Sequence, residues 1–168
     1  MLHLRTILHP TDLSDPSQYA LQFAHSLARD YKAKLVLLSV LPPLIPSSGA
    51  HGGGAPNAHE SIQQMVDEEH QRVRRLVAGI TDVPLEIHVR GGTFGPEIVQ
   101  FSERVRADVI VMGTHGRQGV SRMLMGSVAE YVTQHAGCPV LTVRPAHPKR
   151  IPTDEVATDT SKTQGARP

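Results

Sequence analysis

The chain has 168 residues, with 17 Lys and Arg against 16 Asp and Glu, for a formal net charge of +1. That length holds one ordinary domain and a tail, not two domains. Near-neutral charge without a tryptophan argues against a polyanion-binding surface with stacking aromatics, so no nucleic-acid partner is expected. The single cysteine, Cys138, excludes an internal disulfide and any multi-cysteine metal centre.

Apolar runs alternate with helical patterns along the chain. Leu4 to His9 reads as a strand. Asp15-Pro16 then opens a helix, with Asp15 able to cap it, Pro16 suited to the first helical position and Gln18 placed as a capping-box partner. Apolar residues at 20, 23, 24, 27, 28 and 31 keep helical spacing and predict one buried stripe. Lys34 to Leu41 is a second strand, apolar on both faces as a covered parallel strand should be. The longest apolar stretch, Leu35 to Pro46, contains three prolines and is shorter than the roughly 20 residues that span a bilayer. Arg5, Asp12 and Asp15 interrupt any apolar core of a signal peptide. No membrane association is expected, and the cytoplasm is the expected compartment.

Residues 42–59 form a long Pro/Gly/Ser loop, of the kind that in compact domains is mobile or functional. A helix follows from about Ser61 to Gly79, with Ile62, Met65, Val66, Val73, Leu76, Val77 and Ile80 marking its buried side. The acidic run 67–69 on it reads as a solvated face. Leu85 to Arg90 alternates as a third strand, Gly95-Pro96 starts a helix that runs to about Val105, and Val109 to Met112 is the fourth strand. Next comes the segment from Gly113 to Ser127, punctuated by glycines, with Arg117 and Arg122 and without Asp or Glu. A glycine-rich loop between a strand and a helix directs backbone N–H groups, and the positive end of the helix, at an anion. Ser127 and Glu130 are spaced as a capping box for the helix 128–135, and Gly137 stops it before Cys138-Pro139. Cys138 reads as packing, not as a nucleophile. Val140 to Val143 is the fifth strand, and from Pro145 on the aperiodic composition predicts a disordered tail. The expected division is a domain over 1–146 and a tail over 147–168.

Five strands alternating with four helices imply a mostly parallel α/β sheet covered on both faces. Ligands bind such folds at the carboxyl ends of the strands near a switch in strand order. Two loops qualify, the Pro10-Thr11-Asp12 segment and the loop from Gly113. Asp12 is an acceptor suited to ribose hydroxyls or, through water, to Mg2+. It competes with a plainer role in bracing the turn, for which Ser14 and Asp15 are better placed. None of the ten histidines shows a His-x3-His or His-Glu-x-x-His spacing that would mark a zinc site.

The pattern Gly113-x2-Gly116-x9-Gly126-Ser127 resembles the nucleotide motif of the universal stress protein family, in its ATP-binding branch. His9-Pro-Thr-Asp-Leu-Ser14 and the run from Gly126 to Val140 are similar to the same family, and the likeness covers residues 3–144. The resemblance implies a Rossmann-like five-stranded parallel sheet of order 3-2-1-4-5 and a homodimer along the strand 140–144. It also implies that Asp12, Pro10 and Thr11 lie near ribose and adenosine and that Val40 contacts adenine through its backbone. Gly113, His115, Gly116, Gly126, Ser127 and Val128 would surround ribose and phosphates, with Arg117 able to reach a phosphate.

The sequence has no Gly-x4-Gly-Lys-Ser/Thr, and its only lysines are Lys32, Lys34, Lys149 and Lys162, so the lysine of P-loop enzymes is missing. ATP with Mg2+ is therefore expected to be bound by a stress-response switch that hydrolyses it slowly if at all. The alternative is a nucleotide-independent interaction module of the same fold.

Overall fold

The computed structural model describes residues 3–43, 58–114 and 126–145. The elements run β1 (Thr6–Thr11), α1 (Asp15–Tyr31), β2 (Lys34–Leu41), α2 (Ala58–Leu76), β3 (Leu85–Gly91), α3 (Phe94–Arg104), β4 (Val109–Gly113), α4 (Ser127–His135) and β5 (Val140–Val143). The strands form one parallel sheet in the order β3-β2-β1-β4-β5, as expected. The loop 44–57 and the chain from residue 146 lie outside the described residues, and with them the expected tail.

Strand alternation sends successive side chains to opposite faces, and here both faces are apolar. Ile7, Leu35, Leu37, Val109 and Val111 meet α1 and α2 in one buried cluster. Leu8, Val36, Leu38, Ile110 and Met112 meet α3 and α4 in the other. Cys138 packs half-buried against this second cluster, and burial, assisted by the charge of Asp108, pushes its thiol pKa up. A thiol so held is a poor nucleophile.

Four local expectations change. Ser14, not Asp15, caps α1, because Asp15 already has helical backbone; the Ser14 hydroxyl accepts from the Ser17 N–H. Gln18 forms no capping box, since its side-chain amide donates to the Leu13 carbonyl instead. The buried line of α1 is Ser17, Ala20, Leu21, Ala24 and Ala28, while Phe23 and Tyr31 stay 42% exposed. Small side chains on that line bring the helix close to the sheet and leave the two rings at its margin. On α2, Val73 and Val77 are buried but Ile62 and Met65 are exposed, so the apolar period has no described surface to pack on at that end.

The acidic run on α2 also divides. Asp67 and Glu68 are solvated, but Glu69 is only 5% exposed. Its Oε1 accepts from the Ser39 hydroxyl at 2.6 Å and its Oε2 pairs with Arg72 at 3.0 Å. Glu69 lies four residues before Val73 and eight before Val77, in the inward stripe, and helical geometry overrides its polarity. Both carboxylate oxygens are satisfied, as burial of a charge requires.

Helices α3 and α4 approach closely at Gly95, where an added Cβ would stand 2.6 Å from Tyr131 Cδ1 and 2.9 Å from its Cγ. Those atoms sit near the base of the ring and cannot swing away. Gly95→Ala is therefore expected to destabilise the fold by about 1–2 kcal/mol, overpacking outweighing the better helix propensity of alanine. Urea unfolding checks this, with Tyr131→Ala as background. If the glycine is there for space, most of the cost disappears once the ring is gone, only the contact with the Cβ of residue 131 at 3.2 Å remaining.

Candidate functional site

β1 is the switch point of the sheet, since the chain leaves it toward β2 on one side and returns as β4 on the other. Its ladder to β2 continues through Thr11, paired with Ser39, but its ladder to β4 ends at the Leu8–Ile110 pair. Beyond Leu8 no backbone pair joins the two strands, and the crevice outside the carboxyl ends of the strands at such a switch point is where this class of sheet binds ligands. Pro10 is tolerated in a central strand for the same reason: β1 has the character of an edge from His9 onward.

His9 takes over where the ladder stops. It is fully buried, and its Nδ1 lies 2.8 Å from the Val111 carbonyl. A carbonyl only accepts, so the imidazole carries its proton on Nδ1 and presents Nε2 as an acceptor. The Ser17 hydroxyl lies 3.5 Å from that Nε2 and donates to Thr11 Oγ1 at 2.9 Å. Thr11 Oγ1 in turn accepts from the Leu13 N–H at 3.1 Å. Burial outweighs the Val111 hydrogen bond and the nearby Asp12 charge and pushes the His9 pKa down to about 4. The ring is neutral at physiological pH.

These contacts support an unusual turn. Leu13 has φ +64°, a left-handed conformation that costs a non-glycine residue about 1–2 kcal/mol. Asp12 folds over it, its Oδ1 accepting from the Ser14 N–H at 3.1 Å and from the Ser14 hydroxyl at 2.6 Å. Asp12 thus braces the turn, the plainer of the two roles read from the sequence. A carboxylate offers about four acceptor positions, so this does not preclude a ligand role.

Across the crevice, the Thr114 N–H donates to the Val143 carbonyl at 3.1 Å, and the Gly126 N–H donates to the Thr114 carbonyl at 2.7 Å. The chain therefore leaves β4 and comes back to the same point, and α4 starts there. Gly126 is the N-cap, with φ −75° and ψ 154°, and among the described residues no side chain caps the helix. The expected capping box of Ser127 with Glu130 does not form, because Ser127 already has helical geometry as the first residue of α4. Glycine is not needed at 126 for its φ, which any residue adopts. What it contributes is the lack of a Cβ beside the first N–H groups of the helix, a place where backbone donors suit an anion.

Of the residues singled out in the sequence, Pro10, Thr11 and Asp12 stand at the end of β1, and Gly113 ends β4. Gly126, Ser127 and Val128 form the start of α4, with Ser127 exposed and Val128 packed on the second core cluster. Val40 is half-buried on β2, one residue beyond the Ser39–Thr11 pair. His115, Gly116 and Arg117, with Arg122, lie outside the described residues. Sequence reasoning missed His9 and Ser17. Ser17 was legible, since 17, 20, 21, 24 and 28 form a helical stripe in which its polarity is the anomaly.

Residues 3–144 match the family described as the Universal stress protein family. The chain belongs to the universal stress protein family. Universal stress protein MJ0531 of Methanocaldococcus jannaschii is 36% identical over 143 residues, covering 83% of this chain and 82% of that one. The structure of MJ0577 from the same organism superposes with a TM-score of 0.70 at 23% identity, over 88% of this chain and 100% of that one. A universal stress protein crystallised in complex with cAMP superposes with a TM-score of 0.63 at 21% identity, over 86% and 100%. These likenesses establish the universal stress protein fold for the sheet and its flanking helices. Among the described residues no helix is long and apolar enough to cross a membrane.

Proposed function

We propose that this universal stress protein binds an adenine nucleotide, ATP with Mg2+, in the crevice between β1 and β4, and works in the cytoplasm as a nucleotide-dependent dimeric switch. The observation that carries this reading is the start of α4, a helix end that no side chain caps among the described residues, following a glycine-punctuated segment without acidic residues. Two further structures of the fold support an adenine nucleotide. A universal stress protein of Archaeoglobus fulgidus is in complex with dAMP, and one from Arabidopsis thaliana has AMP bound.

In this reading the N–H groups of Ser127 and Val128, with Gly113, Gly126, His115, Gly116 and Arg117, take the phosphates. Pro10, Thr11 and Asp12 line the ribose, and the Val40 backbone meets adenine. Among the described residues no three His, Cys, Asp or Glu side chains cluster to hold a metal. Mg2+ suits such a site, because it keeps much of its water and binds through one carboxylate together with substrate phosphates. Asp12 is that carboxylate. Without a phosphate-loop lysine, and without a carboxylate between Gly113 and Ala129 to orient water, hydrolysis is slow at most. The dimer forms along Val140–Arg144, where β5 is an edge of the sheet and Leu141 is 40% exposed.

Calorimetric titration of Mg-ATP into the purified protein, after denaturation and chromatography to remove and identify any carried-over nucleotide, tests the reading. A Kd in the micromolar range, about −8 kcal/mol, is the expected result. Neither carried-over nucleotide nor measurable binding would transfer the function to a nucleotide-independent interaction surface of the same fold.

A further inference from the structure

Five of the seven buried polar residues among those described, His9, Thr11, Ser17, Ser39 and Glu69, stand at the carboxyl end of the sheet on the α1/α2 side. A buried polar layer is costly unless each group is paired, and no buried side-chain N or O among the described residues lacks a partner. Ser39 donates to Glu69, whose other oxygen pairs with the half-exposed Arg72, and that branch leads away from the crevice to the surface of α2. The other three are in line: the Ser17 hydroxyl donates to Thr11 and lies 3.5 Å from the His9 ring, and both ends of this row reach a wall of the crevice. One end is the Val111 carbonyl, two residues before Gly113, and the other is the Leu13 N–H, next to Asp12.

We propose that His9 is a positioning residue of the candidate site, an imidazole that fixes the end of β4 against β1 through the Val111 carbonyl and, packed against the Ser17 hydroxyl, keeps the Ser17–Thr11 pair in place under the strained Leu13 turn that displays Asp12. The inference rests on the nucleotide reading for its ligand but not for its geometry. Two features make the assignment specific. The backbone ladder between β1 and β4 has already ended at Leu8, so the imidazole is the polar link that remains between the strands at the level of residue 111. The left-handed backbone at Leu13 persists only if its surroundings over-determine it. The Thr11 hydroxyl that accepts from the Leu13 N–H is itself oriented by Ser17. An apolar residue at 9 would fill the space, yet it would leave the Val111 carbonyl buried without its donor and Ser17 without its second neighbour.

The test compares wild-type protein with His9→Leu, His9→Asn and Ser17→Ala. Backbone amide hydrogen exchange is read at Leu13 and Thr114 without ligand, and Mg-ATP binding is read by calorimetry. Asparagine keeps a donor near the position of Nδ1, so it is the conservative rescue. In His9→Leu, exchange at Leu13 is expected to speed up by roughly tenfold or more, with Mg-ATP binding weakened by a similar factor, while His9→Asn returns both to within about threefold. Ser17→Ala speeds exchange at Leu13 but not at Thr114, because it removes the donor to Thr11 and leaves the bond of the imidazole to Val111 intact. Exchange unchanged in His9→Leu, or an asparagine variant as impaired as the leucine one, overturns the proposal. If wild-type protein binds no nucleotide, the functional reading fails while the exchange comparison still decides the role of His9. Should His9→Leu not fold, the contrast between Leu13 and Thr114 in Ser17→Ala decides it.

Discussion

Gly126→Asp is expected to abolish tight nucleotide binding while leaving the fold as stable as wild type or slightly more so. Gly126 is the N-cap of α4, with the extended backbone that an aspartate adopts without strain, and among the described residues no side chain caps the helix. An aspartate there accepts from the N–H groups of the first turn and places a negative charge at the positive end of the helix dipole, a gain of a few tenths of a kcal/mol over glycine. A phosphate needs the same donors and is repelled by the same charge. The loss in Mg-ATP affinity is expected to be roughly 100-fold, about 3 kcal/mol. Calorimetry and a thermal melt together measure it. The two readouts move in different directions, so a misfolded variant is not mistaken for a blocked site. Wild-type affinity in this variant would mean that the start of α4 is not where the phosphates lie.

The sheet was legible because its signal is redundant. β2 is apolar on both faces and β5 begins after Cys138-Pro139, and both were read at their observed bounds. β1 was displaced by two residues, since the reading stopped at His9 before a proline. Pro10 is in the strand because the ladder to β4 has ended there, a tertiary fact that no local pattern carries. The stripe on α2 erred in the opposite way. Periodicity states which side chains share a face, not whether another surface meets that face, so Ile62 and Met65 were expected inside and are exposed.

At the site the structure places Asp12 just after β1, Gly113 at the end of β4 and Gly126 at the start of α4, with Gly116 outside the described residues, while the caps differ from the reading. Both cap errors are shifts of one residue, Asp15 for Ser14 and Ser127 for Gly126. In each case the true cap is set by backbone conformation. At Gly126 that conformation is fixed by a hydrogen bond to Thr114, a partner twelve positions away. The acidic run failed for a simpler reason. Charge was given more weight than spacing, although Glu69 stands in register with Val73 and Val77.

The buried imidazole also sets an acid limit on the fold. His9 has its pKa pushed from the ordinary 6.5 down to about 4, first by burial and against the opposing effects of the Val111 hydrogen bond and Asp12. The unfolded chain therefore takes up a proton at His9 at a pH where the folded chain does not, and stability rises with pH across that window. The contribution is complete above pH 6.5 and is lost as the pH falls toward 4. Between about pH 7.5 and about pH 5, this one group is expected to remove about 2 kcal/mol of unfolding free energy. Asp82 and Glu86 are held below their ordinary carboxylate values by His25 and Lys34, so their protonation weakens the fold mainly at lower pH than this window. Urea unfolding of wild type and His9→Asn at both pH values isolates the imidazole, because every other titration is common to the two proteins. The difference between wild type and variant is expected to change by about 2 kcal/mol between the two pH values. An equal pH dependence in both would show that the ring is protonated as readily in the folded protein as in the unfolded chain, which its enclosure between β1, β4 and α1 does not allow.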